Sequence, residues 1–165
     1  MWRHLTEAPL LARWWTPDDL RVSGLVFEAQ EGGRIVLEYR DVEDADGSDL
    51  VAGYAEGVVD EAHPGERLAY RLSPRLPDGG LAFTAHVALD LRTTGTGTDL
   101  DAHWRITDST VDSADFIAGI EIGFGQSLDK LAATLAADAH STDTETGSNT
   151  DTNTDSISND ARSTK

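Results

Sequence analysis

Few side chains in this sequence have the type and spacing for covalent chemistry. Ser127-Leu128-Asp129-Lys130 has the S-x-x-K spacing, which on a helix sets a serine one turn from a lysine able to activate it. No S-D-N or K-T-G segment accompanies it, and the expected setting is a solvated helix face near the end of an amphipathic stretch. Asp99, Asp101 and His103 alternate along one strand, a spacing that could hold a metal or a proton relay, but their parity is outward, as is that of His86. Asp44-Ala45-Asp46-Gly47-Ser48-Asp49 hints at a calcium loop. Setting Gly47 at the sixth loop position puts Val42 first and Gly53 twelfth, where acids are needed, so a hairpin turn is expected instead. The chain has no cysteine, which excludes thiolate catalysis, disulfides and Cys-ligated zinc. It also lacks G-x-S-x-G, H-E-x-x-H and a Gly-rich phosphate loop. No catalytic residue, metal ligand or cofactor is therefore assigned.

The remaining chemistry is aromatic. Tyr39, Tyr54, Tyr70, Phe83 and Trp104 share the apolar parity of their strands, while Phe116, Ile120 and Phe124 belong to a C-terminal helical segment. Trp14 and Trp15 are adjacent on a short turn and cannot point the same way. One is expected in the core and the other at the rim of a cavity or at the surface. Three tyrosines are unusual in a dry core, because each hydroxyl needs a partner.

The elements that must position these residues follow from periodicity. Met1 to Leu11 can be helical, with a second short helix near Pro9. Six stretches alternate apolar and polar residues or end on turn residues: Val22–Gln30, Ile35–Tyr39, Leu50–Glu61, Leu68–Leu72, Leu81–Arg92 and Leu100–Ile106. Short loops join them, among them Glu31-Gly32-Gly33, His63-Pro64-Gly65, Pro74 to Gly80 and Thr94-Gly95-Thr96-Gly97, which predicts an antiparallel meander. From Ser113 to Ala137, Ile117, Ile120, Phe124, Leu128, Leu131 and Leu135 fall at steps of three and four, the stripe of a helix about 37 Å long. Asp112 or Ser113 is its expected cap. A long helix after a run of strands needs a sheet to lie on, so the fold class is α+β.

Composition bounds the rest. Of 165 residues, 139–165 are rich in Ser, Thr, Asp and Asn, with Ile157 the one large apolar residue, and are expected to be a disordered acidic tail. Residues 1–138 then form one domain with a core of its own. With 30 Asp plus Glu against 13 Lys plus Arg, nucleic acid and anionic membrane surfaces are disfavoured partners. No apolar run approaches the roughly 20 residues of a membrane span, and no signal peptide opens the chain, so a cytoplasmic location is expected. The acidity fits a salt-adapted host or a GC-rich coding bias.

Several segments together resemble a known group. Ala12-Arg13-Trp14-Trp15-Thr16-Pro17, Glu31-Gly32-Gly33-Arg34, and Gly57-Val58-Val59-Asp60-Glu61 followed by Pro64, Glu66-Arg67-Leu68 and Tyr70 occur in order. Gly97-Thr98-Asp99-Leu100 and Gly123-Phe124 with Gln126-Ser127-Leu128-Asp129-Lys130-Leu131 complete the set. The pattern resembles the SRPBCC (START-like, helix-grip) superfamily, in the bacterial branch similar to the C-terminal domain of activators of the heat-shock chaperone ATPase. Phe124 stands where that group usually has Trp. The resemblance implies a curved antiparallel sheet gripping the C-terminal helix, with a cavity between them. It also implies a seventh, N-terminal strand paired with the last one. Here Met1-Trp2-Arg3-His4-Leu5-Thr6 matches the first helix instead, so that strand is expected to be absent. The edge 97–107 would then be open to association.

Trp14, Trp15, Tyr39, Tyr54, Tyr70, Phe83, Trp104, Phe116, Ile120 and Phe124 are the expected ligand-binding lining of that cavity, unless they merely fill a core. The leading expectation is non-catalytic binding of a hydrophobic small molecule. A module acting on a chaperone protein, and an enzyme similar to polyketide cyclases or aromatases, are the alternatives the resemblance implies.

Overall fold

A computed structural model of the full chain describes residues 1–42, 53–76, 78–110 and 114–145. Two short helices, α1 (Trp2–Thr6) and α2 (Ala8–Leu11), come first. Six strands follow: β1 (Leu20–Phe27), β2 (Arg34–Asp41), β3 (Gly53–His63), β4 (Arg67–Arg75), β5 (Thr84–Thr94) and β6 (Gly97–Thr107). The last element is α3 (Ala114–Glu145). The strands form one antiparallel sheet in the order β1-β2-β3-β4-β5-β6, so β1 and β6 are its edges. This is the α+β helix-grip architecture that the alternation patterns and the resemblance imply.

Sequence and structure differ at a few places, each with a physical reason. β4 runs through Pro74 to Arg75, where a loop was expected. Pro74 still pairs with Ala55, and its carbonyl accepts from the Ala82 N–H outside the β4–β5 ladder, which ends at Leu72 and Ala85. The missing proline N–H therefore costs no ladder bond. In β3 no single period holds, because the register shifts between Val59 and Glu61. Its buried positions are Ala55 and Val59, which puts Tyr54 on the opposite face. The Asp46-Gly47 turn, the acidic loop around it and the Asp112 or Ser113 cap lie outside the described residues. α3 continues to Glu145, beyond the expected end at Ala137; residues 139–145 are thus helical where the expected tail begins, and residues 146–165 lie outside the described residues.

The core lies between the concave face of the sheet, the two short helices and α3. Leu5, Leu11 and Trp14 meet Ile35, Val59, Leu68, Val87, Leu89 and Leu131, all nearly or fully buried. Leu128 and Leu135 pack against this cluster one helical turn to either side of Leu131. Cross-strand partners stack in inward rows, such as Leu68 with Leu89 and Leu89 with Ala102.

Candidate ligand cavity

The N-terminal half of α3 does not close on the sheet as its C-terminal half does. At residues 128–135 the inward positions are leucines. At residues 119–127 they include Gly119 and Gly123, one turn apart, beside Ile120, Phe124 and Ser127. A cavity of about 600 Å3 opens between this half-helix and the sheet. That is within the roughly 300–1,000 Å3 of pockets that hold small molecules. Its floor is Leu37 and Tyr39 of β2, Tyr70, Leu72 and Pro74 of β4, Ala85 and Val87 of β5, and Trp104 of β6. Phe83 lines it just ahead of β5, and the segment Trp15–Leu20, save Asp18, forms the remaining wall.

That wall is tied to α3 by polar contacts at its rim. Ser127 Oγ donates within 3.1 Å of the Trp15 carbonyl and 3.0 Å of the Gly123 carbonyl. Lys130 Nζ donates to the Pro17 carbonyl at 3.1 Å, and the Gln126 side chain accepts from the Asp18 N–H. Thr16 Oγ1 donates to the Leu20 carbonyl, closing the loop on itself. The S-x-x-K residues therefore do not sit on a solvated face: Ser127 is only 2 % exposed, and both side chains hold backbone carbonyls of one loop. Gly123 matters here because a Cβ would lie 3.3 Å from Pro17 Cβ.

The two tryptophans divide as their adjacency requires. Trp14 turns into the core at 3 % exposure and donates its indole N–H to the His4 carbonyl. It does not line the cavity. Trp15 does, and it meets Phe27 and Tyr70 edge to face, with ring centroids 5.6 and 5.8 Å apart. Phe27 and Tyr70 complete the triangle at 6.1 Å. On the far side Trp104 stacks on Phe124, centroids 5.8 Å apart and planes 4° from parallel.

Of the ten expected lining residues, Trp15, Tyr39, Tyr70, Phe83, Trp104, Ile120 and Phe124 come together around the cavity. Tyr54 is a correction: it lies on the outer face, where its hydroxyl donates to Glu56, which also accepts from Arg75. The bond to Glu56 raises the Tyr54 phenol, and the bonds accepted from Tyr54 and Arg75 draw Glu56 below the usual carboxylate range. The side chain of Phe116 lies outside the described residues. Sequence reasoning missed the contribution of Thr16, Pro17 and Asp19, and it reads Gly119 and Gly123 as marking a kink or a close approach to the sheet where they line the cavity. The signal available for the glycines was their spacing of four on the stripe that otherwise carries Ile120 and Phe124.

The polar character of the cavity is narrow. Thr16 and Ser127 spend their hydroxyl hydrogens on backbone carbonyls. Neither Tyr39 nor Tyr70 has a hydrogen-bond partner for its hydroxyl among the described residues. Burial alone pushes both phenols up, Tyr70 far more, since charging either would strip it of water. Asp19, exposed at the rim, is the one formally charged lining residue among the described residues. Among the described residues no group of three or more His, Cys, Asp or Glu could hold a metal ion. His103 and Asp101 face solvent 3.5 Å apart, and His86 meets Thr107 at 2.9 Å on the outer face. Among the described residues no helix is long and apolar enough to cross a membrane.

The sequence matches the profile of a family described as activator of Hsp90 ATPase homolog 1-like protein over residues 1–136. No curated protein matches the chain. Among solved structures, a protein from Rhodobacter sphaeroides is 24 % identical with a TM-score of 0.63, covering 82 % of this chain and 83 % of its own. One from Chromobacterium violaceum is 26 % identical at a TM-score of 0.62, covering 80 % and 84 %. The AHSA1 protein from Silicibacter pomeroyi is 19 % identical at a TM-score of 0.66, covering 83 % and 88 %. At these identities the likeness is one of fold.

Proposed function

The chain belongs to the activator of Hsp90 ATPase homolog 1-like family, and from that premise we propose that it binds a hydrophobic small molecule, without turnover, in the cavity between α3 and the sheet. The observation that carries this reading is the cavity itself: about 600 Å3, walled by Trp15, Tyr70, Phe83, Trp104 and Phe124. The cavity is open to solvent, so an apolar occupant would release water from its aromatic lining and bury that surface. Native mass spectrometry of protein purified from its own host, with a dye-displacement screen, tests the proposal. A co-purifying apolar species or a displaceable dye is expected. A protein with no bound species, from which no apolar compound displaces dye, would sink it.

The family description favours a second reading, a module that acts on a chaperone ATPase. Fold does not carry function by itself. The measurement is the ATPase rate of the host chaperone with and without this protein; an unchanged rate at saturating protein removes this reading.

A further inference from the structure

We infer that the occupant of this cavity is an uncharged molecule whose buried end carries a hydrogen-bond acceptor, such as a ketone or quinone oxygen, taken by the Tyr70 hydroxyl. The inference rests on the binding reading above and names the chemical class of its ligand. Three observations carry it. The first is the orphan donor. Tyr70 lines the cavity at 5 % exposure, and its hydroxyl has no partner among the described residues. The hydroxyl is not sealed in protein but open to the cavity, so its hydrogen bond is left to whatever fills that space. The Tyr70 ring packs edge to face with Trp15 and Phe27, so packing, and not a protein acceptor among the described residues, orients it.

The second is charge. No Lys, Arg or His lines the cavity among the described residues; the single formal charge there is the Asp19 carboxylate at the rim. A carboxylate or phosphate carried inside would be desolvated with no cation to pair with. The chain's net charge of −17 opposes an anionic ligand before it arrives. Tyr70 does not replace a cation, because a phenol donates one hydrogen bond and stays neutral.

The third is polarity along the cavity. Tyr39 and Tyr70 flank β3 on neighbouring strands, opposite Gly53 and Val59. Six residues of strand separate those partners, about 20 Å at roughly 3.3 Å per residue. Tyr39 is half-buried and lies toward Asp19 and Leu20, whereas Tyr70 is enclosed. The ligand therefore has an inner end fixed by Tyr70 and an outer end that tolerates water.

Three matched probes test this: 6-propionyl-2-dimethylaminonaphthalene, its 6-propyl analogue without the carbonyl, and 6-dimethylamino-2-naphthoate. Fluorescence titration of the full chain should rank the ketone tightest and the carboxylate weakest. Tyr70→Phe should weaken the ketone by about three- to tenfold, the range of one neutral hydrogen bond. It should leave the propyl analogue unchanged. Tyr39→Phe should move the ketone less. The wild-type ranking alone decides the charge question should Tyr70→Phe fail to fold. Carboxylate binding at or above the ketone, or equal losses for ketone and propyl probes in Tyr70→Phe, would overturn the inference while leaving cavity binding intact. Failure of all three probes to bind would overturn the binding reading and this inference with it.

Discussion

Replacing the glycines of α3 one at a time separates the helix's own stability from its fit against the wall loop. Gly119, Gly123 and Gly125 fall within seven residues of one helix. Each glycine in a helix interior is less favourable than alanine by about 0.8–1 kcal/mol, because its backbone loses more freedom on folding. A Cβ at Gly119 or Gly125 meets nothing within 4 Å. Gly119→Ala and Gly125→Ala should each recover nearly the full propensity, about 1 kcal/mol, or about 3–5 °C in Tm for a domain of this size. At Gly123 the same backbone gain is opposed. The new methyl would sit 3.3 and 3.5 Å from Pro17 Cβ and Cγ, and Pro17 cannot easily retreat while Lys130 holds its carbonyl. Crowding of this kind costs about 1–3 kcal/mol, so Gly123→Ala should be neutral or destabilising. Urea unfolding followed by tryptophan fluorescence measures all three, with equal m-values confirming that only the native state has changed. The reasoning fails if Gly123→Ala stabilises as much as Gly125→Ala, or if the other two are neutral. Gly119 also lines the cavity and Gly125 does not. Gly119→Leu should keep the helical gain yet lose dye binding, because its side chain occupies the opening.

Asp138 accepts from His4 at 2.9 Å and from Arg13 at 3.0 Å, tying α3 to the N-terminal helices, and these contacts hold its carboxyl below the usual carboxylate range. A carboxyl depressed in the folded state stabilises above its unfolded pKa and loses that effect as pH falls through the folded value. Asp138→Asn should therefore lower Tm at pH 7, with the difference from wild type closing below about pH 3.8; a difference independent of pH would contradict it. At the alkaline end the sign reverses: Tyr70 and Tyr39 have raised folded values, so stability is complete below about pH 10 and declines as pH rises beyond it. Tyr70→Phe should flatten that decline in thermal scans from pH 9 to 11. At the β6 edge, alternate amides between Gly97 and Thr107 point away from β5. Hydrogen exchange should find them unprotected in a monomer, and uniform protection as deep as in β4 would refute an open edge.

What the sequence made legible and what it hid have different physical origins. β5 and β6 carry an apolar residue at every second position from Ala85 to Leu91 and Leu100 to Ile106, so their inward faces could be read directly. β3 could not be read this way. Its inward residues are small, and the register shift past Val59 changes parity within the strand. Tyr54 was thus read as sharing the apolar parity of a strand whose buried positions are Ala55 and Val59. The wall loop posed a different difficulty. Residues 15–18 and the set Gln126, Ser127 and Lys130 are more than a hundred residues apart, and nothing local reports that the second set hydrogen-bonds the backbone of the first. Ser127 and Lys130 were thus read as part of a solvated helix face when they are the fastening of the roof.

The same fastening explains how an open cavity persists. An apolar void next to a flexible wall would collapse, because every lining atom gains contacts when the wall moves in. Here the wall is held by directional bonds at its rim, while Trp104 on Phe124 props the opposite side. Gly53 removes the side chain that would otherwise collide with the Tyr39 ring. A single leucine at position 119 would fill part of the space and strengthen the helix in the same step. A sequence that forgoes both gains, and leaves the Tyr70 hydroxyl open to the cavity, fits the proposed ligand, which would supply both the contacts and the acceptor.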